Sequence, residues 1–262
     1  MFRFLLAILF ILLTAGGPSL VSSAAAPEES APEESVPEKT ERPVVLPHQH
    51  NESCELTTAE PVQIICILDR SGSMQRLTND VIGGYNSFLA QQRKEPGTAE
   101  VTTVLFDNKY EKIAKAVDLK DAPELTPKIY YARGTTALLD AIGRTIMDTV
   151  DRMEEKSVCP LRRRVLFMIM TDGMENASRE YDKAAVKALI EATTNDYHWN
   201  YIFMGANIDS FAEASSLGIH ADHAMNYEHD SEGVQESFAR MSEAAKEVRE
   251  SGTVDGKWKG EQ

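Results

Sequence analysis

The sequence predicts an α/β fold, a doubly wound, mostly parallel sheet of Rossmann-like type with one antiparallel edge strand. Three observations carry that prediction. Val62–Leu68 and Val165–Met170 are almost unbroken apolar runs, too short for typical helices and suited to strands covered on both faces. Segments with apolar residues at helical spacing alternate with such runs along the chain. Asp107-Asn108-Lys109 is a tight-turn sequence between two strand-like stretches, so one strand pair is expected to be a hairpin.

Taken in order, the first strand at Val62–Leu68 leads to a helix over Asn79–Lys94, where Val81, Tyr85, Phe88 and Leu89 mark one face. Val101–Phe106 and Tyr110–Val117 read as the two strands of the hairpin. A long helix is expected over Thr135–Glu155, because Leu139, Ile142, Ile146, Val150 and Met153 share a face. Val165–Met170 is the fourth strand. Tyr181–Ala192 reads as helix, Asn200–Met204 as strand, Ser210–Leu217 as helix and His223–Asn226 as a short edge strand. An amphipathic helix over Ser231–Glu250 closes the domain, placed at 60–250, and 251–262 is expected to be a tail.

Ahead of the domain the chain has a different character. Arg3 precedes an unbroken apolar run, Leu5–Leu13, and small residues follow at Ser22–Ala26, the pattern of an export signal over 1–25 cut after Ala24 or Ala25. An uncleaved anchor is the alternative, but a span needs roughly 20 apolar residues, and Gly16, Gly17 and Pro18 interrupt this one. The expectation is an exported protein, secreted, periplasmic or at the cell surface, with no membrane insertion after cleavage. Residues 26–55 contain the degenerate repeat APEES, APEES, VPEKT, which has little to bury and whose prolines and like charges favour an extended linker. His48 and His50 at its end are read as solvated.

The formal net charge of -14 argues against nucleic acid as a partner, since phosphate would be repelled without a basic patch. The densest basic run, Arg162–Arg164, is read as a solvated strand start. Neither a GxxxxGK nor a GxGxxG phosphate cradle occurs. The histidines at 198, 220, 223 and 229 lack spacing tied to a nucleophile and are read as surface or packing residues.

Ligands of such folds gather where strands end and helices begin. Asp69, Ser71 and Ser73 follow the first strand, Gly134-Thr135-Thr136 precede the long helix, and Thr171-Asp172-Gly173 end the fourth strand. Each of these residue types alone is an ordinary cap or turn former. Together they offer two carboxylates and three hydroxyls with no nitrogen or sulfur, the ligand set of a hard cation, Mg²⁺ or Mn²⁺ rather than Zn²⁺.

The segments DRSGSM, RGTTALLDAIG and TDGMENASREY resemble the three signature segments of the von Willebrand factor type A (vWA) domain, and the resemblance spans about residues 60–250. It implies a metal-ion-dependent adhesion site, called MIDAS in that family, formed here by Asp69, Ser71, Ser73, Thr135 and Asp172. Thr135 is preferred to Thr136 because it follows the glycine directly. DVIGGYNSF and FMGANIDS are similar to bacterial stand-alone members.

The function expected is non-enzymatic, the capture of a protein ligand that presents a carboxylate to the ion. A scaffold subunit of an ATPase or chelatase complex is the alternative, and export argues against it. A metal-dependent hydrolase is a further alternative, but an aspartyl phosphatase needs a second carboxylate two residues after the first, and that place is Ser71. Asn176 and Asn207 are rim candidates whose turn roles suffice, as does the turn role of Asp107. Of three cysteines, Cys66 is expected to be buried in the first strand, and Cys54 and Cys159 are expected to meet at one sheet edge and form a disulfide.

Overall fold

A computed structural model describes residues 60–156, 159 and 163–260. The leader over 1–25 and the linker over 26–55, with Cys54, lie outside the described residues. The sheet has six strands, β1 (Val62–Asp69), β2 (Ala99–Phe106), β3 (Tyr110–Asp118), β4 (Val165–Thr171), β5 (Asn200–Gly205) and β6 (Ala224–Asn226). Their order is β3-β2-β1-β4-β5-β6. Among the described residues only the β2/β3 hairpin pairs antiparallel; the other pairings are parallel.

All residues of β1 and β4 are buried, and the two-residue period divides them between two apolar layers. Ile64, Cys66 and Leu68 of β1 join Leu166, Met168 and Met170 of β4 on one face. Ile65 and Ile67 join Val165, Phe167 and Ile169 on the other. Helices α1 (Thr78–Gln92) and α5 (Ser231–Ser251) cover the first face. Helices α2 (Leu138–Glu155), α3 (Lys183–Tyr197) and α4 (Ser210–Ser216) cover the second. Together these features make a doubly wound α/β fold, a mostly parallel sheet with one antiparallel edge strand and helices on both faces.

Several expectations need correction. Helix α2 begins at Leu138, not Thr135, with Ala137 at its N-cap and no side-chain cap. Residues 134–137 are instead drawn into hydrogen bonds with Gly72, Asp107, Asn176 and Ala177. Arg163 is not solvated: it is buried and forms ion pairs with Glu60 and Glu100, while Arg164 donates to the carbonyl of Arg249 at 2.5 Å. The segment from 251 is not a tail. Gly252 ends α5 in the left-handed region at φ 89°, and the chain turns back so that Val254 and Trp258 join the α1/α5 face. Trp258 Nε1 donates to the Asp222 carbonyl.

Cys66 is a free, buried thiol, and burial pushes its pKa up. Cys159 is disulfide-bonded. Among the described residues no helix is long and apolar enough to cross a membrane.

Candidate metal centre

Parallel register fixes where the site lies. Leu68 pairs with Met170, so the next residues, Asp69 and Thr171, face each other at the carboxyl ends of β1 and β4. Strand order reverses between these two strands, which makes this crevice the place where open α/β sheets bind ligands.

The Asp69 carboxylate is held at both oxygens. Oδ1 accepts from the backbone N–H of Ser71 at 2.6 Å, and Oδ2 accepts from the Thr171 hydroxyl at 2.7 Å. Ser71 Oγ and Ser73 Oγ are 3.0 Å apart, and Ser73 Oγ donates to Asp172 Oδ1 at 2.6 Å. Residues separated by about a hundred positions in the chain therefore share one hydrogen-bonded cluster. Asp69, Ser71 and Asp172 are buried, whereas Ser73 is exposed, so the cluster is closed below and opens to solvent at Ser73.

The third loop contributes Thr136 rather than Thr135. Thr135 is exposed and Thr136 is buried. A carbon in the Cβ position at Gly173 would stand 3.9 Å from Thr136 Oγ1 and 4.0 Å from Ser73 Oγ, so both hydroxyls border the Asp172-Gly173 turn. The Thr136 backbone explains this choice. Its N–H donates to Asn176 Oδ1 at 2.9 Å, and its carbonyl accepts from the N–H groups of Asn176 and Ala177. Asn176 is thus a brace between two of the site loops, and Asn207 Nδ2 donates to the Asp172 carbonyl at 3.4 Å.

Asp107 does more than turn the hairpin. It is fully buried, and its Oδ2 accepts from Arg70 Nε at 3.0 Å and Arg133 Nε at 2.8 Å. Its carbonyl accepts from Ala137 N–H, while Arg133 N–H donates to the Arg70 carbonyl. These contacts tie the β1 loop to the loop ahead of α2. Arg70 and Arg133 also pair with Glu111, so the buried Asp107 belongs to a four-member charge network in which no member depends on a single partner. Gly134, at φ 68°, passes close beneath Asn108, and a Cβ there would meet Asn108 Oδ1 at 2.2 Å. No sequence period signals these contacts; the hint is a charged residue on each side of the turn and loop.

Burial of the Asp69 carboxyl pushes its pKa up to about 6, against the hydrogen bonds from Thr171 and Ser71, and the nearby charge of Asp172 adds to the rise. Among the described residues neither Asp69 nor Asp172 pairs with a lysine or arginine. Asp172 instead meets His229, whose Nε2 is 2.8 Å from Oδ2. Two buried carboxylates without a strong cation fit a metal ion as their counter-charge. Among the described residues no group of three or more His, Cys, Asp and Glu side chains could hold a metal, so hydroxyls and water would complete the shell. That donor set suits Mg²⁺, which is bound through few carboxylates and keeps several waters.

Neither family models nor curated proteins match the sequence. Solved structures do. Proximal thread matrix protein 1 from the mussel byssus is 14% identical with a TM-score of 0.50, over 75% of this chain and 48% of that one. The von Willebrand factor type A protein from Catenulispora acidiphila is 16% identical with a TM-score of 0.48, over 72% of this chain and 43% of that one. The manganese-loaded TRAP protein of Plasmodium vivax is 17% identical with a TM-score of 0.48, over 70% of this chain and 74% of that one. The chain spans less than half the length of the first two. At such identities the likeness concerns the fold.

Proposed function

We propose that this chain is an exported docking module that captures a carboxylate on a protein partner through a divalent cation, Mg²⁺ or Mn²⁺. Ser71, Ser73 and Thr136 would supply hydroxyl ligands, and Asp69 and Asp172 would supply charge, directly or through water. The observation that carries this reading is the buried Asp69/Asp172 pair, free of lysine and arginine partners among the described residues, beside the Ser71 and Ser73 hydroxyls at the sheet's switch point.

The chemistry follows from the count of charges. Mg²⁺ takes about six oxygens, and two carboxylates with hydroxyls and water leave it an exchangeable position and residual electrophilicity. A carboxylate from another protein is a natural occupant of that position. The rim supports docking. Met174, 74% exposed, and Tyr131, 42% exposed, are the exposed large hydrophobics among the described residues. Both belong to site loops, one just past Asp172 and the other just ahead of Arg133. Apolar side chains around a polar anchor are what a contact face uses. We read the module as non-enzymatic because Ser71 stands where an acid/base carboxylate would be needed.

The test is capture of partners from the exported fraction on immobilised full-length protein, with Mg²⁺ or with EDTA. Partner retention is expected only with Mg²⁺, and Asp69→Ala should abolish it while circular dichroism shows an intact fold. Equal retention in EDTA would contradict the proposal, and release of phosphate or a cleaved product would favour hydrolysis instead.

A further inference from the structure

We infer that His229 is a positioning residue of the cation site, which fixes the Asp172 carboxylate so that Oδ1 is presented on the Ser73 side. The inference rests on the cation reading above and adds to it a residue from a fourth segment, between β6 and α5. Nε2 of His229 lies 2.8 Å from Asp172 Oδ2, within hydrogen-bond distance, and a carboxylate oxygen there accepts from whichever ring nitrogen carries a proton. Ser73 Oγ takes Oδ1 at 2.6 Å. The carboxylate is therefore clamped from two sides, and its side chain is fully buried while the imidazole is 25% exposed.

The ring can act as a clamp because its own backbone is fixed. Tyr227 N–H donates to the Gly205 carbonyl at 3.0 Å, and the Tyr227 hydroxyl donates to the Thr171 carbonyl at 3.2 Å. On the other side, Asp230 caps α5 by accepting from Gly233 N–H at 2.8 Å, and its own N–H donates to the Glu228 carbonyl at 2.8 Å. The segment 227–230 thus anchors on β5, on β4 and on the first turn of α5. Within it, the Tyr227 hydroxyl and the His229 ring contact consecutive residues, Thr171 and Asp172. A buried carboxylate free to rotate would lose orientation before it met an ion, and partners that orient a metal-binding group are typically worth about 10–100-fold in metal affinity.

The experiment titrates Mn²⁺ into metal-free full-length protein and follows the free-ion electron paramagnetic resonance signal. It compares wild type, Asp69→Ala, His229→Leu and His229→Gln, with folding checked by circular dichroism. His229→Leu is expected to weaken Mn²⁺ binding about 10-fold or more. His229→Gln, whose amide can donate to the same oxygen, should restore most of it. In wild type the His229 side-chain nitrogen resonances should shift on adding Mg²⁺, a readout that survives any folding failure of the Leu variant. Wild type that binds while His229→Leu binds equally overturns this inference alone, as does an imidazole unmoved by Mg²⁺. Wild type that binds no better than Asp69→Ala overturns the cation reading and this inference with it.

Discussion

Asp69 shows how burial and chemistry oppose each other in a single residue. Its place at the end of a strand covered on both faces disfavours its charge, and the pKa rises from 3.8 to about 6. Between those values the folded protein holds a proton that the unfolded chain has lost. In metal-free protein this stabilising contribution is full below about pH 3.8 and is lost as pH rises through about 6, a change of about 3 kcal/mol. Asp69→Asn has no such proton to lose. In EDTA, urea unfolding at pH 4 and pH 7 should show the Asn variant gaining stability relative to wild type by about 2 kcal/mol at the higher pH; parallel profiles would refute the burial argument. The carboxylates and serines of this site were legible in the sequence because Asp69, Ser71 and Ser73 lie two residues apart at a strand end. His229 was not, because it reaches Asp172 across 57 positions through a loop with no periodic signal. The sequence reading prefers Thr135, whereas Thr136 is the threonine that borders the cluster, and the hydrogen bonds that hold it there come from Asn176 and Ala177 on another loop.

At the level of elements, strands were readable where burial on both faces made them continuous in β-branched and other apolar residues, as in β1 and β4. The start of α2 was less readable. Helical spacing continues back to Thr135, but backbone donors and acceptors of residues 133–137 are claimed by Arg70, Asp107 and Asn176, and tertiary bonds outrank local propensity there. The stretch between β3 and α2 carried no pattern, yet it buries Leu119, Leu125 and Tyr130, and the Tyr130 hydroxyl donates to the Asp69 carbonyl at 2.5 Å. Two adjacent glycines in α1 test the packing of the elements. A Cβ at Gly84 would lie 2.2 Å from Phe238 Cδ2 on α5, whereas one at Gly83 meets nothing within 4 Å. Gly84→Ala should destabilise by about 1–3 kcal/mol through overpacking, while Gly83→Ala should stabilise by up to about 1 kcal/mol through helix propensity. Thermal unfolding of the two variants decides it; similar shifts would contradict the close α1/α5 approach.

For the whole molecule, acidic charge and the proposed function would fit together through a metal. A chain of net charge -14 would repel an acidic partner at long range, within the screening set by salt, and the proposed cation at the crevice would give it one local point of attraction. Architecture brings the candidate residues together, because β1, β4 and the loop ahead of α2 end at the same edge, where Asp107 and Asn176 tie the loops and His229 contacts Asp172. The disulfide at Cys159 suits an oxidising compartment, in keeping with the export signal expected at the N-terminus. The direct measurement of the central claim is an anomalous-difference map from a crystal of the protein soaked in Mn²⁺. A single peak at coordination distance from Ser71 Oγ, Ser73 Oγ and Thr136 Oγ1, beside Asp69 and Asp172, is predicted. No peak there, or an ion bound through Thr135 in place of Thr136, would contradict it.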